Sequence, residues 1–315
     1  MKFLEFREGL ERVYTKYDYW LVPFFKAILA LFSFICIRSA FASGSASGYL
    51  RLIKGPAGML PAALLCSFLP WSAVTVFSAF FVLLYIYSIS FEMAIVTALI
   101  FLLAAMIQIS FRGQHGILLL LIPLGFLFRM PFVLPIVAGL SLGLFSVVPV
   151  GLGAFVYSLL HYVNVNLDTL PSGSGTDIAA IANRYALLLG GFFRDRGMIL
   201  YVFTFIIMML VVYIIRNLAF DYSWETAVPA GLLSGVLIIL LGGRMMDIDI
   251  SIGALLPEIV LSAVLSYGYV LLFHAADYRR TERIRFEDDD YYYYVKAVPK
   301  LRSSRDEEEE ELPEE

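Results

Sequence analysis

Long apolar runs follow one another along this chain from Trp20 to His274, and nothing else in it so narrows what it can fold into. A helix crosses the bilayer core with roughly 20 apolar residues, and a backbone in lipid must satisfy its own hydrogen bonds. Hydrophobic residues make up 60% of the chain, with a mean hydropathy of +0.80. A soluble domain holds only about 45–50%. The expected fold is therefore an all-α integral membrane protein. It is a bundle of roughly eight to ten transmembrane helices, some short or broken, with one amphipathic interfacial helix.

The first span is expected over Trp20 to Ile37, between an aromatic belt (Tyr17, Tyr19, Trp20) and Arg38. Lys26, about two turns inside, can snorkel to the surface. Ala40 to Gly55 reads as a Gly/Ser-rich loop. Pro56 to Ser90 is too long for one straight span, at about 1.5 Å per residue. Pro70-Trp71 divides it into a short helix (Met59 to Leu69) and a full one (Ser72 to Ile89). A further span runs from Glu92 to Ile109. Ile117 to Val163 is almost wholly apolar but carries Pro123, Arg129, Pro131, Pro135 and Pro149. Proline removes a backbone donor, so this stretch is expected as short, broken or re-entrant pieces, or as kinked packing helices. Three more spans are expected at Met198 to Ile215, Val228 to Leu241 and Ile252 to Phe273.

The domain plan follows from these runs. Residues 1–19 form a cytoplasmic N-terminal segment and 20–275 a polytopic membrane domain. Within the latter, a polar insert at about 164–197 holds the amphipathic helix, with Ile178, Ile181, Tyr185, Leu188 and Phe192 on one face. Residues 276–302 are a basic, tyrosine-rich cytoplasmic segment, and 303–315 an acidic end expected to stay unfolded. The charged front segment argues against a cleaved signal peptide. Basic residues before the first span, and Arg279, Arg280, Arg283 and Arg285 after the last, put both termini in the cytoplasm of a plasma membrane with an even number of crossings.

Charge excludes one class of partner. From Arg279 to Glu315 there are eight Lys/Arg and thirteen Asp/Glu, a net of −5 that leaves +1 for the rest of a chain totalling −4. No basic stripe for nucleic acid exists. Catalytic patterns are also missing. His115, His161 and His274 have no partner at ligand spacing, and there is no nucleophile elbow, zinc-protease motif or phosphate loop. Cys36 and Cys66 read as buried small hydrophobes. No cofactor or metal is expected, and the chain does not read as an enzyme.

Two places can carry function. Glu258 follows Pro257 inside the last apolar run, where a carboxylate is costly and typically functional. It can bind a cation, relay a proton or pair with Arg129; if the span starts after it, it is merely interfacial. Arg244 to Asp249 reads as a solvated turn. The second place is the tail, where Phe286, Tyr291, Tyr292, Tyr293, Tyr294 and Lys296 have strong β preference between acidic flanks. Such a strand can add to a partner's sheet edge, pack on the protein itself, or be phosphorylated.

The segment Phe286 to Lys300, with the basic residues ahead of it, resembles an uncharacterised bacterial polytopic membrane family with permease-like hydropathy. The resemblance implies a multi-pass membrane protein and no catalytic residue or substrate. The expected function is a scaffold or accessory subunit recruiting a cytoplasmic partner through residues 286–300. The alternative is a transporter or permease-type subunit with its site among the broken helices and Glu258.

Overall fold

The computed structural model describes residues 2–40, 55–88, 91–110, 116–165, 190–218, 220–274, 282–287 and 291–297. The membrane domain is all-α. Its helices are α1 (Lys2–Ala40), α2 (Pro56–Phe68), α3 (Trp71–Tyr87), α4 (Phe91–Ser110), α5 (Leu118–Leu127), α6 (Val133–Ser141), α7 (Val147–Val165), α8 (Arg196–Arg216), α9 (Ser223–Met245) and α10 (Ile252–Phe273). Among the described residues, five stretches are long and apolar enough to cross a membrane: Thr15–Ser39, Leu144–Val165, Arg196–Arg216, Ser223–Met245 and Ile252–Phe273. Any higher count of crossings draws on the shorter apolar helices Pro56–Phe68, Trp71–Tyr87, Met93–Ile107 and Leu118–Leu127.

The chain breaks where its prolines dictate. Pro70 caps α3 in extended conformation, after α2 has ended at Phe68. Residues 2–19 are helical and run on into the apolar part of α1, which bends where Tyr17 leaves helical geometry (φ −116°, ψ 18°). Lys26 does more than snorkel. Its ammonium donates to the Leu69 carbonyl at 3.0 Å and lies 5.4 Å over the Trp71 ring, closing the α2–α3 turn onto α1. Ser67 donates to the Pro23 carbonyl at 3.0 Å, and the Ser33 and Ser78 hydroxyls lie 3.3 Å apart.

Two main cores result. One joins α1 to α4 around Phe34 and Phe81, whose rings lie 4.5 Å apart, with Cys66 and Ile86 buried beside them. Cys36 is only half-buried, so the two cysteines are not alike. The other core joins α5 to α10 around Phe205, Met208, Met209 and Val212. Apolar side chains such as Leu233, Leu237, Val260 and Val264 remain exposed on the outer faces, where the bilayer is their solvent. Between the helices small residues allow contact. Gly231 and Gly235 set α9 against Val212 and Met208 of α8, the small-xxx-small spacing of membrane helix pairs.

The tail forms two strands, β1 (Glu282–Glu287) and β2 (Tyr292–Ala297), in an antiparallel hairpin. The tyrosine strand therefore already has a partner within its own chain. The register pairs Ile284 with Val295 and Phe286 with Tyr293. Most of the expected 164–197 insert, the loop before Gly55, His115 and the acidic end 303–315 lie outside the described residues.

Candidate functional site

The interrupted stretch makes a short helical hairpin, and its turn supplies the first half of the site. α5 ends in a Schellman cap: Met130 N–H donates to Gly125 O at 2.9 Å and Arg129 N–H to Phe126 O at 3.2 Å. Pro131 disfavours helical geometry at Met130, so α5 cannot continue. Arg129 holds the left-handed position, with φ 55°, where glycine is usual. An arginine there costs on the order of 1 kcal/mol, the kind of local strain that clusters at functional positions. The hairpin confirms broken helices over Ile117 to Val163. Pro135 and Pro149 sit in the first turns of α6 and α7, where a missing donor is harmless.

The second half comes from α10. This helix starts at Ile252, so Glu258 lies roughly 9 Å along its axis at about 1.5 Å per residue. Glu258 is within the span and half-buried. It stands in electrostatic reach of Arg129 and of the Tyr157 and Tyr201 hydroxyls from α7 and α8. Phe126, one turn before Arg129, orders this group: it stacks on Tyr157 (3.5 Å, 3°) and on Phe205 (5.3 Å), and meets Tyr201 edge-on (5.5 Å). Four segments thus place one guanidinium and two phenols within electrostatic reach of one carboxylate. That arrangement can hold a small charged or hydrogen-bonding group.

Beside this group lies a cavity of about 270 Å³ at the seam of the two cores, sharing Phe126 and Tyr157 as its wall. Ile37, Val82, Leu120, Leu124 and Phe101 make it largely apolar.

A second cluster lies at the opposite end of α8. Arg216 donates to the carbonyls of Gly139 (3.4 Å), Leu140 and Leu142 (3.4 Å) at the end of α6, and lies 5.3 Å over Trp224. Trp224 stacks on His274 at 4.3 Å. Burial against that ring pushes the His274 imidazole below its ordinary range, and the neighbouring Glu225 pulls it back up.

Sequence reading did not find Tyr157, Tyr201, Phe126 or Arg216. Each looks like an ordinary aromatic or interfacial residue on its own helix. Of the tail residues, Tyr291, Tyr292 and Tyr293 are exposed; Phe286, Tyr294 and Lys296 are placed only by strand register. Of the expected turn Arg244 to Asp249, Arg244 and Met245 end α9 and Met246-Asp247 form the turn, where Arg196 donates to the Met246 carbonyl at 2.8 Å. Among the described residues no group of three His, Cys, Asp or Glu is placed to hold a metal ion. No protein-family model, curated protein or solved structure matches the chain.

Proposed function

We propose that this membrane protein is a permease-type transport protein whose site is the group formed by Glu258, Arg129, Tyr157 and Tyr201. The observation that carries this reading is a half-buried carboxylate inside a span, within electrostatic reach of an exposed arginine displayed by a helix break. Discontinuous helices at membrane depth are how transporters build polar sites. In this reading Glu258 binds the cationic or hydrogen-bonding group of a solute, Arg129 balances its charge, and the phenols fix orientation. With no nucleotide loop in the sequence, uphill transport would draw on an ion gradient or a separate motor. We also place the protein in a bacterial plasma membrane with both termini cytoplasmic, following its flanking cations.

Aqueous access to Glu258 tests the reading without knowing the solute. Cys36 and Cys66 are replaced by Ala, Glu258→Cys is introduced, and the protein in sealed vesicles is treated with a membrane-impermeant thiol reagent from each side. Labelling at 258 from one or both faces is expected, and none at a control Leu271→Cys, which is 59% exposed on a lipid-facing surface. If position 258 resists the reagent from both faces, the transport reading is wrong.

The scaffold reading keeps one observation in its favour. Ile284, Tyr293 and Val295 of the tail hairpin are exposed, and strand alternation sets these positions on one face. A two-stranded hairpin is marginal alone and gains from a partner. A pull-down comparing the full chain with one lacking residues 282–315 is expected, on this reading, to lose a cytoplasmic protein on truncation. An unchanged set of partners would remove the scaffold reading.

A further inference from the structure

The seam cavity carries an inference independent of Glu258. Its polar wall atoms fall into two sets. Thr75 and Ser78 are already engaged, Thr75 with the Gly116 carbonyl at 3.2 Å and Ser78 with Ser33. Tyr157, His161 and Asn164 recur at steps of four and three residues, on one face of α7. Among the described residues, neither His161 nor Asn164 has a hydrogen-bond partner in the protein.

The remaining wall is alkyl or aromatic, and among the described residues it includes no Lys, Arg, Asp or Glu. Val76 and Leu127 line the cavity yet are 66% and 49% exposed, so it opens onto the flank that meets the bilayer. Apolar cavities stay dry and take up apolar molecules. In a membrane, the molecules at hand are alkyl chains. His161 and Asn164 are exposed and stand at the mouth of the cavity, so the apolar interior takes the chain while the imidazole and amide can hydrogen-bond an uncharged head, which needs no counter-charge from this wall.

We propose that the cavity at the seam of α3, α4, α5 and α7 binds one alkyl chain of an amphiphile whose uncharged, hydrogen-bonding head (hydroxyl, ester or amide) sits at His161 and Asn164. This rests on the cavity alone and does not require that the protein transport anything.

Photolabelling of the full chain in phosphatidylcholine nanodiscs tests it, using diazirine-bearing hexadecanol, with diazirine-bearing hexadecanoate as the charged comparison. The alcohol is expected to label peptides of α3, α5 and α7, and excess unlabelled hexadecanol to remove that labelling. Ala79→Phe and, separately, Ala105→Phe fill the cavity and are each expected to cut labelling about tenfold, a loss of about 1.4 kcal/mol in binding. Gel filtration and thermal unfolding check that each variant is folded. Asn164→Leu is expected to weaken labelling while the fold persists. Non-competable labelling, spread equally over the α9 surface around Leu233 and Leu237, would overturn the site. Hexadecanoate labelling as strongly as the alcohol would overturn the uncharged-head assignment, and a free fatty acid would then be the occupant.

Discussion

Gly139→Ala is expected to destabilise the protein by about 1–3 kcal/mol, the usual penalty for overpacking a tight contact. A Cβ at Gly139 would stand 2.9 Å from the Met209 carbonyl and 2.8 Å from Val212 Cγ1. The carbonyl belongs to the α8 backbone and cannot swing aside, so α6 and α8 would have to separate. Gly268→Ala gives the opposite result. Nothing lies within 4 Å of a Cβ at Gly268, in the middle of α10. There alanine supplies only its better helix propensity, about 0.5–1 kcal/mol of stabilisation. Thermal unfolding of the three proteins in one detergent measures both. Equal effects from the two substitutions would mean that α6 does not pack on α8 as described.

Arg216→Met is expected to cost about 1.5–3 kcal/mol, the range for hydrogen bonds made by a charged group. Arg216 serves the carbonyls at the end of α6, which have no intrahelical donor. Its positive charge also lies at the negative end of that helix. Methionine has similar length and keeps the packing, so the loss reports the hydrogen bonds and charge. Arg216→Lys is expected to fall between, since an ammonium can reach a carbonyl but cannot lie flat over Trp224 as the guanidinium does. Thermal unfolding, together with proteolysis near Leu142, reads both. If Arg216→Met unfolds like the wild type, the three carbonyls do not depend on this side chain.

The transport and scaffold readings are separable because their residues are. The group around Glu258 draws on α5, α7, α8 and α10, whereas the tail hairpin bonds within itself. A result on one therefore leaves the other standing.

Much of the helical plan was legible in the residues. The expected break at Pro70-Trp71 is the observed one, and Ile252 to Phe273 coincides with α10. α5 ends at Leu127, four residues before Pro131, inside the stretch expected to be broken. Glu258 was visible because a carboxylate in an apolar run is rare. The extension of α1 back to Lys2 was not visible, because its charged residues read as a segment outside the bilayer. The two-stranded tail was half visible: the tyrosine run has β preference, but the mixed charges of Glu282 to Glu287 do not mark a strand.

The sequence by itself determined the solvent. Hydropathy is summed over neighbouring residues, and it is enough to assign the chain to lipid and to mark where most helices stop. Only the tertiary structure decided which residues meet. Arg129 and Glu258 are far apart in sequence, as are Arg216 and Leu140, and no local pattern links either pair. The reason is physical: lipid tails are as apolar as leucine, so hydropathy does not fix which face of a spanning helix turns inward. That choice falls to close fit at glycines such as Gly139 and Gly231, and to the few polar side chains that must find one another inside the membrane.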